Sequence, residues 1–597
     1  MRTRRAMVLC LALCALVLCA TQANARIETA RMTSRAAIDA ALQSRELSQD
    51  QAVLLKAYSV YAPWNLPPEY TGGIIDKCGV PAIKEIDEAL ATVSPEVAGE
   101  IRSLRARPST MTYIDTEHFR IHYDTSGTHK IRLWPDTTYR DAVAVAAEYS
   151  WAQEVGTLGF RQPPSDLSFP DNGGDGRYDI YVQALSGVYG YTQPEYYVDG
   201  TPQNDATSFL VIDNDYTGFG YADPLLPMRV TVAHEFCHAC QFAHDVGEAT
   251  WYMECTSTWM EDYVYDSIND YIQYLSSFLS YPYLALDADG SGGLRIYGSC
   301  IWNHYLSEAH GDTIVPQIWY QLESGTSTFS NIDLVLTGSY GSSLREEVRQ
   351  FSIWNFFTGS RNDGNHYEEG GTWAFVPTQA AYSAYPIVDG APSATYRPDH
   401  LGCNYIRFNY MSSGLDGLHI TYDGPSTMTT PNAAYTNYLR QGSSTGYEYG
   451  GITLNGFGVG EITVNDWDLK NWVCLVVVNQ STTANDMTYV YDVEETDTAV
   501  DGGDFQLALR PASPNPFAGS TEIAYTVPSG GGNVEITVYD VAGRAVRTLA
   551  SGAMAAGDGS VRWDGLDDAG NPVATGVYFA RLDVDGLTAC GKLLMLK

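Results

Sequence analysis

Basic residues are scarce in this sequence. The 597-residue chain contains 35 Lys and Arg against 71 Asp and Glu, which gives a formal net charge of −36 at pH 7. A surface this acidic repels both nucleic acids and anionic membranes, so we exclude them as partners. The acidity suits a secreted, soluble protein, and carboxylate-rich loops are suited to binding calcium.

Charged residues are also few in total, at 18% of the chain, whereas hydrophobic residues make up 45%. This composition excludes an intrinsically disordered chain and is typical of globular domains. The length exceeds that of one ordinary domain, so three or four folded units are expected. No segment repeats at a fixed period, which argues against a repeat architecture.

Cysteine is sparse for a chain of this length. Eleven are present, and three of them lie in the amino-terminal apolar run: Cys10, Cys14 and Cys19. The other eight are scattered over the rest of the chain: Cys78, Cys237, Cys240, Cys255, Cys300, Cys403, Cys474 and Cys590. This spacing excludes a disulfide-framework miniprotein. Some of these cysteines can pair in an oxidising compartment, but the sequence does not define the connectivity.

Long apolar runs are absent outside the first 25 residues. There, a basic start, MRTRR, leads into a short apolar run and then into Ala23-Asn24-Ala25, a small-x-small cleavage site. The pattern predicts a secretory signal peptide over residues 1–25. The run is short for a transmembrane anchor, and Leu18 before Cys19 argues against a lipoprotein site. We therefore expect a secreted protein with no membrane span after signal cleavage.

The hydrophobic pattern divides the mature chain into four predicted units. Residues 26–110 form a helical amino-terminal region or a propeptide, and residues 111–372 mix strands and helices in an α+β layer arrangement. Residues 373–500 alternate as in a β-sandwich, and residues 505–597 form a second, smaller β domain. The predicted fold class is therefore multidomain, with one α+β domain and two β-sandwiches.

A strand is predicted at 118–123, where the sequence HFRIHY alternates in polarity. The alternation places His118, Arg120 and His122 on one face of the strand. We expect these histidines to face solvent and not to bind a metal.

The stretch HEFCHACQFAH, residues 234–244, carries the strongest chemical signal. His234 and His238 are four residues apart, so on a helix both imidazoles project from one side and can bind one Zn²⁺. Glu235 lies near the same opening, where it can serve as general base towards a water molecule that the zinc activates. The alternative is a solvated helix with two incidental histidines.

Three residues compete to be the third zinc ligand. His244 has the spacing of a three-histidine site, but that site needs a glycine where this sequence has Gln241. On an unbroken helix, His244 lies about 280° around from His234, which points it away from the metal. We expect it to be an ordinary helix-end residue whose partial charge suits the helix dipole. Glu254 and Glu261, seven residues apart on the following helix, are the remaining candidates.

The pair of segments HEFCH and WYMECTSTW resembles the gluzincin arrangement, in which H-E-x-x-H is followed by W-x-x-E on the next helix. The resemblance implies that Glu254 is the third ligand. Cys255 and Ser257 stand where that pattern has other small residues. Glu261 remains the alternative ligand, or a group that orients a histidine.

The likeness spans roughly residues 60–500 and is to secreted bacterial zinc metalloproteases of the gluzincin or immune-inhibitor-A-like zincin type. It implies a zincin catalytic domain over 111–372. For the oxyanion partner, Tyr297 and His304 are candidates, although core packing is the commoner role for each.

Two further segments suggest metal chemistry. In DNGGDGRYD, Asp171, Asp175 and Asp179 are spaced as in a Ca²⁺ loop, although the distal glutamate is missing and a plain turn explains the pattern equally well. In KCGVP, residues 77–81, Cys78 is similar to the cysteine-switch segment of matrix metalloprotease propeptides. That resemblance implies a thiolate that keeps the zinc site latent. The alternative is an unrelated or disulfide-bonded cysteine.

The last ninety residues, 505–597, resemble the FlgD-like, immunoglobulin-like domains at the carboxyl ends of secreted bacterial proteins. The motifs that carry the resemblance are Pro514-Asn515-Pro516-Phe517, Tyr539-Asp540, Gly543-Arg544, Trp563-Asp564-Gly565 and Gly576-Val577-Tyr578. The resemblance implies sorting by a type IX-like secretion machinery, or cell-surface attachment, with an extracellular or outer-surface location. The alternative is a passive structural domain.

These observations predict a secreted zinc endopeptidase that hydrolyses peptide bonds of extracellular proteins. A competing class is a non-catalytic surface binding or adhesion protein with a structural or degenerate zinc site. Four protein ligands with no open position would favour that class. A second alternative is that the β domains bind glycans or partner proteins.

Overall fold

The computed structural model describes residues 32–596, apart from 199, 202, 290–292, 441–446, 498–506, 511, 513, 529–530, 542, 555–556 and 586. The predicted signal peptide, 1–25, lies outside the described residues. In the described part of the chain, none of the helices combines the length and the apolar character needed to cross a membrane.

The amino-terminal region is helical, as predicted. Its helices are α1 (Ser34–Gln43), α2 (Gln49–Tyr61), α3 (Val80–Ala89) and α4 (Pro95–Leu104). Side-chain oxygens cap three of these helices. Oγ1 of Thr33 accepts a hydrogen bond from the amide of Ala36, Ser48 and Gln51 form a capping box, and Oγ of Ser94 accepts from the amide of Val97. Such caps satisfy the amides that the first turn of a helix leaves free.

A six-stranded sheet follows, but its edge strand comes from the amino-terminal region. The strands are β1 (Asp76–Cys78), β2 (Thr112–Asp115), β3 (Phe119–Tyr123), β4 (Tyr178–Gln183), β5 (Val188–Tyr197) and β6 (Ala206–Asp213). Their order in the sheet is β1-β5-β6-β4-β3-β2. Strand β1 pairs in parallel with β5, with Cys78 opposite Gly190. The amino-terminal region is therefore built into the next unit and does not form a separate helical body.

The prediction that the histidines of the strand at 118–123 face solvent is wrong for His122, whereas His118 is partly exposed. All five residues of β3 are buried, because β3 lies between β2 and β4. Nε2 of His122 lies 2.7 Å from Oδ1 of Asp179, within hydrogen-bonding distance, and Nε of Arg120 donates to Oδ1 of Asp115. Hydrogen-bonded charge partners allow these polar side chains to be buried. His118 is partly exposed and contacts Glu148 at 2.7 Å.

Helices cover the sheet and continue the fold beyond it, in keeping with the mixed strands and helices predicted for residues 111–372. They are α5 (Thr138–Trp151), α6 (Leu225–Phe242), α7 (Thr250–Tyr265), α8 (Ile272–Leu279), α9 (Arg295–Gly298), α10 (Ile301–His310), α11 (Ile314–Leu322), α12 (Thr328–Val335) and α13 (Leu344–Phe356). Helix α6 is buried on every side from Val230 to Phe242, which is the pattern of a central helix. It packs between β5, β6 and α7.

Two packed sheets follow between residues 380 and 496. Their strands are β7 (Ala380–Tyr382), β8 (Ile387–Gly390), β9 (Cys403–Asn409), β10 (Gly417–Asp423), β11 (Asn432–Arg440), β12 (Tyr447–Ile452), β13 (Val459–Val464), β14 (Lys470–Asn479) and β15 (Val490–Thr496). One sheet has the order β12-β11-β14-β9-β7 and the other β13-β10-β15-β8. The first also packs on the helices, where the Tyr405 hydroxyl donates to the carbonyl of Ser352 at 2.7 Å.

The carboxyl-terminal unit is a smaller pair of sheets. Its strands are β16 (Ala508–Leu509), β17 (Thr521–Val527), β18 (Gly532–Asp540), β19 (Ala545–Met554), β20 (Gly557–Trp563), β21 (Gly576–Val584) and β22 (Leu587–Met595). The sheet orders are β16-β17-β20 and β19-β18-β21-β22. Fully buried Trp563 lies in its core against Phe517 and Tyr578, and its indole N–H donates to the carbonyl of Leu566 at 3.0 Å.

Replacing Trp563 by alanine should unfold this carboxyl-terminal unit. The change removes a fully buried indole, and such truncations cost about 3–5 kcal/mol, a large part of the stability of a small domain. Calorimetry of the full chain should show one transition moving to lower temperature. Val541→Ala, at a side chain that is 74% exposed, is the control. An unchanged profile for both variants would contradict the assignment of Trp563 to the core.

Candidate metal centre

The two histidines of the HExxH motif meet on one side of helix α6. Both side chains are fully buried, and their Nε2 atoms are 3.2 Å apart. The helix continues past Gln241 to Phe242, as expected where the sequence has no glycine to break it. The close pair of nitrogens is the arrangement that the four-residue spacing predicts.

Helix α7 brings Glu254 to these two nitrogens. Its Oε2 lies 3.2 Å from Nε2 of His234, and its Oε1 lies 3.3 Å from Nε2 of His238. Strand β1 brings the fourth group, because Sγ of Cys78 lies 3.4 Å from Nε2 of His238. The sequence alone left Glu254 and Glu261 both open, and packing of α7 against α6 selects Glu254 as the nearer carboxylate.

The four groups fit a zinc ion. One ligand atom from each of Cys78, His234, His238 and Glu254 lies within 4.8 Å of all the others, and within the described residues no second group of this kind occurs. Tetrahedral zinc with bonds of about 2.0–2.3 Å places its ligand atoms about 3.3–3.8 Å apart. The observed separations of 3.2–3.4 Å are close to that range. Thiolate, imidazole and carboxylate are also the donors that zinc takes in proteins.

Charge compensation controls the protonation of this cluster. Burial by itself lowers the pKa of His234, but hydrogen bonds and charges from Glu254 and Glu261 raise it to about 9. Burial raises the pKa of Glu254, yet the two histidines lower it to about 2. Burial, together with the negative charges of Glu235 and Glu254, raises the pKa of the Cys78 thiol. A thiolate at this position therefore requires a nearby cation.

The outer nitrogens of both histidines are held by hydrogen bonds. Nδ1 of His234 contacts Oε1 of Glu261 at 2.8 Å, so Glu261 lies behind the ligand and not beside the Nε2 atoms. Nδ1 of His238 contacts Oε1 of Gln241 at 2.8 Å. The Gln241 amide is itself fixed, because its Nε2 donates to the carbonyl of Met253 and to Oγ of Ser257, both at 3.0 Å. Such contacts fix the tautomer and orientation of a ligating imidazole.

Sequence reasoning missed this role of Gln241. It considered the residue only as the glycine that a three-histidine site lacks. The available signal was its position three residues after His238, which places the two side chains on one face of α6.

Glu235 lies beside the cluster with one oxygen held and one without a partner. Its Oε2 accepts a hydrogen bond from the Thr192 hydroxyl at 2.8 Å, whereas its buried Oε1 has no hydrogen-bond partner. Burial raises the pKa of Glu235, although the two histidines lower it in part. Strand β5 reaches this carboxylate closely because it has Gly190 here. A Cβ on Gly190 would stand 3.0 Å from Cγ of Glu235 and 2.8 Å from Thr231.

His244 is outside the cluster, as its position on the helix predicts, but its predicted partial charge is wrong. The side chain is fully buried, and its Nδ1 contacts Oε1 of Glu323 at 2.6 Å. Burial lowers the pKa of His244 to about 4, because desolvation outweighs the attraction of Glu323. The residue is therefore neutral at pH 7 and does not act on the helix dipole through a charge.

The structure does not group Asp171, Asp175 and Asp179 as the calcium prediction requires. Asp179 pairs with Arg107 and His122. Asp175 pairs with Arg120 at 2.8 Å and with Arg177. Asp171 belongs to neither set of ion pairs, although it takes the left-handed backbone conformation of a turn, φ 57°. Arg107 and Arg120, distant in sequence, pair with Asp179 and Asp175, and local spacing does not reveal these two pairings.

Of the two oxyanion candidates, only Tyr297 is at the centre. Its hydroxyl lies 3.3 Å from the amide nitrogen of Cys78, which donates to it, and its ring is 6.5 Å from that of His234. His304 stacks on Tyr271 with ring centroids 4.5 Å apart, and burial lowers its pKa to about 3. His304 is therefore a core residue.

Replacing Gln241 by alanine should weaken zinc binding without changing the fold. The change removes the contact that orients His238, and loss of such a contact typically costs about 10–100-fold in metal affinity. Competition with a chromophoric chelator measures the zinc dissociation constant. His244→Gln is the matched control and should retain full affinity. Weaker binding in the control alone would instead favour the three-histidine site.

Comparisons with known proteins identify the carboxyl-terminal unit. No curated protein sequence matches the chain. Among solved structures, the chain is similar to PorZ, a surface component of the type-IX secretion system of Porphyromonas gingivalis. The identity is 17% and the TM-score 0.12, over 19% of this chain and 14% of PorZ. It is similar to dimeric latent PorU of the same organism at 15% identity, TM-score 0.17, over 37% of this chain and 19% of PorU.

A third similar structure is a β-glucuronidase of Bifidobacterium dentium, at 12% identity, TM-score 0.12, over 32% of this chain and 39% of that enzyme. This chain thus spans less than a fifth of the length of PorZ and PorU. The family description FlgD Ig-like domain matches residues 513–585. A FlgD Ig-like domain therefore lies at the carboxyl end, which fits a secreted, extracellular or surface protein.

Proposed function

We propose that this protein is a secreted zinc-dependent endopeptidase whose described form is latent. The observation that carries the proposal is the buried group of His234, His238 and Glu254 with Glu235 beside it. These three ligands, together with Cys78, would hold Zn²⁺. Zinc bound there would supply a Lewis acid that polarises the scissile carbonyl and makes a water molecule a stronger nucleophile.

The chain's own residues provide the remaining chemistry. Glu235 is the general base, because its unpartnered Oε1 lies beside the cluster while Thr192 fixes the other oxygen. Its raised pKa favours proton transfer near neutral pH. The buried Tyr297 hydroxyl, now in contact with the Cys78 amide, is placed to donate a hydrogen bond to the developing oxyanion.

The latent form follows from the origin of the fourth ligand. A catalytic zinc site keeps one position open, whereas a structural site has four protein ligands. Cys78 closes the site, but it belongs to the amino-terminal region, upstream of every other site residue. Release of that region by cleavage in the loop between α4 and β2 would open the position and leave the other ligands intact.

A structural zinc site is the second candidate, and the four-ligand arrangement favours it. Glu235 argues against it. Burial of its carboxylate is unfavourable and raises the pKa of Glu235, and a purely structural site needs no carboxylate beside its ligands. A general base at this position explains its presence.

The FlgD Ig-like domain and the amino-terminal segment support export. We propose that a type IX-like secretion machinery recognises the carboxyl-terminal domain and that the substrates are extracellular proteins or peptides. Calcium binding elsewhere in the chain stays an untested prediction.

Replacing Glu235 by glutamine should abolish proteolysis and leave zinc bound. The amide cannot take a proton, and general-base catalysis contributes about 100-fold or more. Digestion of casein with and without chelator measures activity, and elemental analysis measures zinc. Glu117→Gln, at an exposed position, is the control. Activity that persists in the Glu235 variant would overturn the assignment of the base.

Replacing Cys78 by alanine should raise the activity of the unprocessed chain. Co²⁺ substituted for zinc reports the ligand directly, because a thiolate ligand produces a charge-transfer band that the variant should lose. Cys590→Ser, at the exposed cysteine, is the control. A structural site predicts the opposite result: no gain of activity, weaker metal binding and a lower melting temperature.

A further inference from the structure

The residue before Cys78 has its side chain in a pocket made by other parts of the chain. Lys77 is fully buried, and its ammonium donates to Oδ2 of Asp270 at 2.8 Å and pairs with Oε2 of Glu261 at 2.9 Å. The Tyr189 ring centroid lies 4.9 Å from the ammonium, and that of Tyr274 lies 6.0 Å away. These four residues all come from positions 189–274, whereas Lys77 belongs to the amino-terminal region.

Building on the endopeptidase function, we propose that this pocket selects a lysine side chain at a substrate residue flanking the scissile bond. Lys77 is the direct chain neighbour of Cys78, whose sulfur lies at the candidate metal position. Both residues belong to β1, which pairs along β5. When the amino-terminal region leaves, the edge of β5 becomes free to add a substrate strand. A substrate lysine next to the residue that lies at the metal position would then place its side chain in the pocket that Lys77 now fills.

The pocket is built to receive a cation. The side chains of Glu261 and Asp270 are 1% and 3% exposed, and two buried carboxylates without a counter-charge are strongly unfavourable. Each has one oxygen occupied by the protein: His234 contacts Oε1 of Glu261, and Tyr221 and Gln273 donate to Oδ1 of Asp270. The other oxygen of each carboxylate faces the ammonium.

This division of oxygens distinguishes lysine from arginine. The pocket offers one oxygen from each of two carboxylates, which matches a compact ammonium. A guanidinium binds best to both oxygens of one carboxylate.

Arg107 also pairs with buried carboxylates, Asp166 and Asp179, but these lie away from the metal ligands. Two other basic side chains of the amino-terminal region, Arg35 and Lys84, are held differently. Arg35 pairs with Asp289, which is 46% exposed, and with Glu85 of its own region. The Lys84 ammonium donates to the backbone carbonyls of Val246 and Glu248. Contacts of this kind hold the amino-terminal region in place but do not form a pocket for a side chain. The pocket of Lys77 differs because Glu261 also orients His234, which places the pocket directly behind a candidate metal ligand.

The test uses the full chain with a specific protease site inserted after exposed Ser109, between α4 and β2. The chain is cut there and used without removing the fragment, since peptides compete with it for the pocket. Two peptide series differ only in lysine or norleucine at each residue flanking the scissile bond. We expect kcat/KM to be higher for lysine, on the order of tenfold or more, as for a buried charge pair. Asp270→Asn should reduce this preference, and Asp266→Asn, at an exposed position, should retain it.

A binding measurement separates the two proposals. A fluorescent peptide with the sequence of residues 74–80, IIDKCGV, should bind the cut chain more tightly than the same peptide with norleucine for lysine. Lysine-selective binding without cleavage of any peptide would support the pocket and overturn the endopeptidase. Cleavage with equal rates for lysine and norleucine would overturn the pocket and retain the endopeptidase. These peptide comparisons use the cut chain without the Asp270→Asn substitution, so they test the lysine pocket even if that variant does not fold.

Discussion

Glu235, Glu254 and Glu261 are buried close to one another around the histidines of α6. Their negative charge must therefore be compensated inside the protein. Isolated carboxylates in such a place are very costly. Both histidines of α6 face Glu254, and the Lys77 ammonium and Nδ1 of His234 face Glu261. The Thr192 hydroxyl donates to Glu235. A zinc ion at the histidine nitrogens would add two positive charges where they are needed most. The arrangement of the neighbouring elements follows from this requirement.

The amino-terminal region meets that requirement from outside the sheet. Its short strand β1 adds to the edge of β5 and delivers a thiol and an ammonium to neighbouring positions. A free edge strand offers unpaired backbone groups that attract other chains, so the region also covers an edge that a substrate would use. In the proposed endopeptidase, latency, edge protection and charge compensation would therefore all be served by the three residues of β1. Departure of the amino-terminal region would expose the metal position, the edge of β5 and the lysine pocket at once.

Within the described part of the chain, the remaining units supply no ligands to this centre. The sandwich packs against the helices through contacts such as Tyr405 on Ser352, and the FlgD Ig-like domain has its own core around Trp563. A domain with its own core can serve sorting or attachment while the chemistry stays elsewhere. In the proposed endopeptidase, sorting and chemistry would therefore be carried by different parts of the chain.

The sequence by itself determined the local features of this protein. Helical spacing put His234 and His238 on one face, excluded His244, and placed Glu254 and Glu261 on one side of the next helix. Alternation and turn residues predicted both sandwiches, because periodicity reflects which side chains are buried. The tertiary structure alone decided that Gln241 orients His238 and that arginines pair with Asp175 and Asp179 of the predicted calcium loop. For Glu254 and Cys78 the sequence offered only family resemblances, and the packing of α7 on α6 and of β1 on β5 brings both residues to the histidines. The position of Lys77 was decided by tertiary structure, because it depends on a strand joining a sheet edge and leaves no local pattern in the sequence.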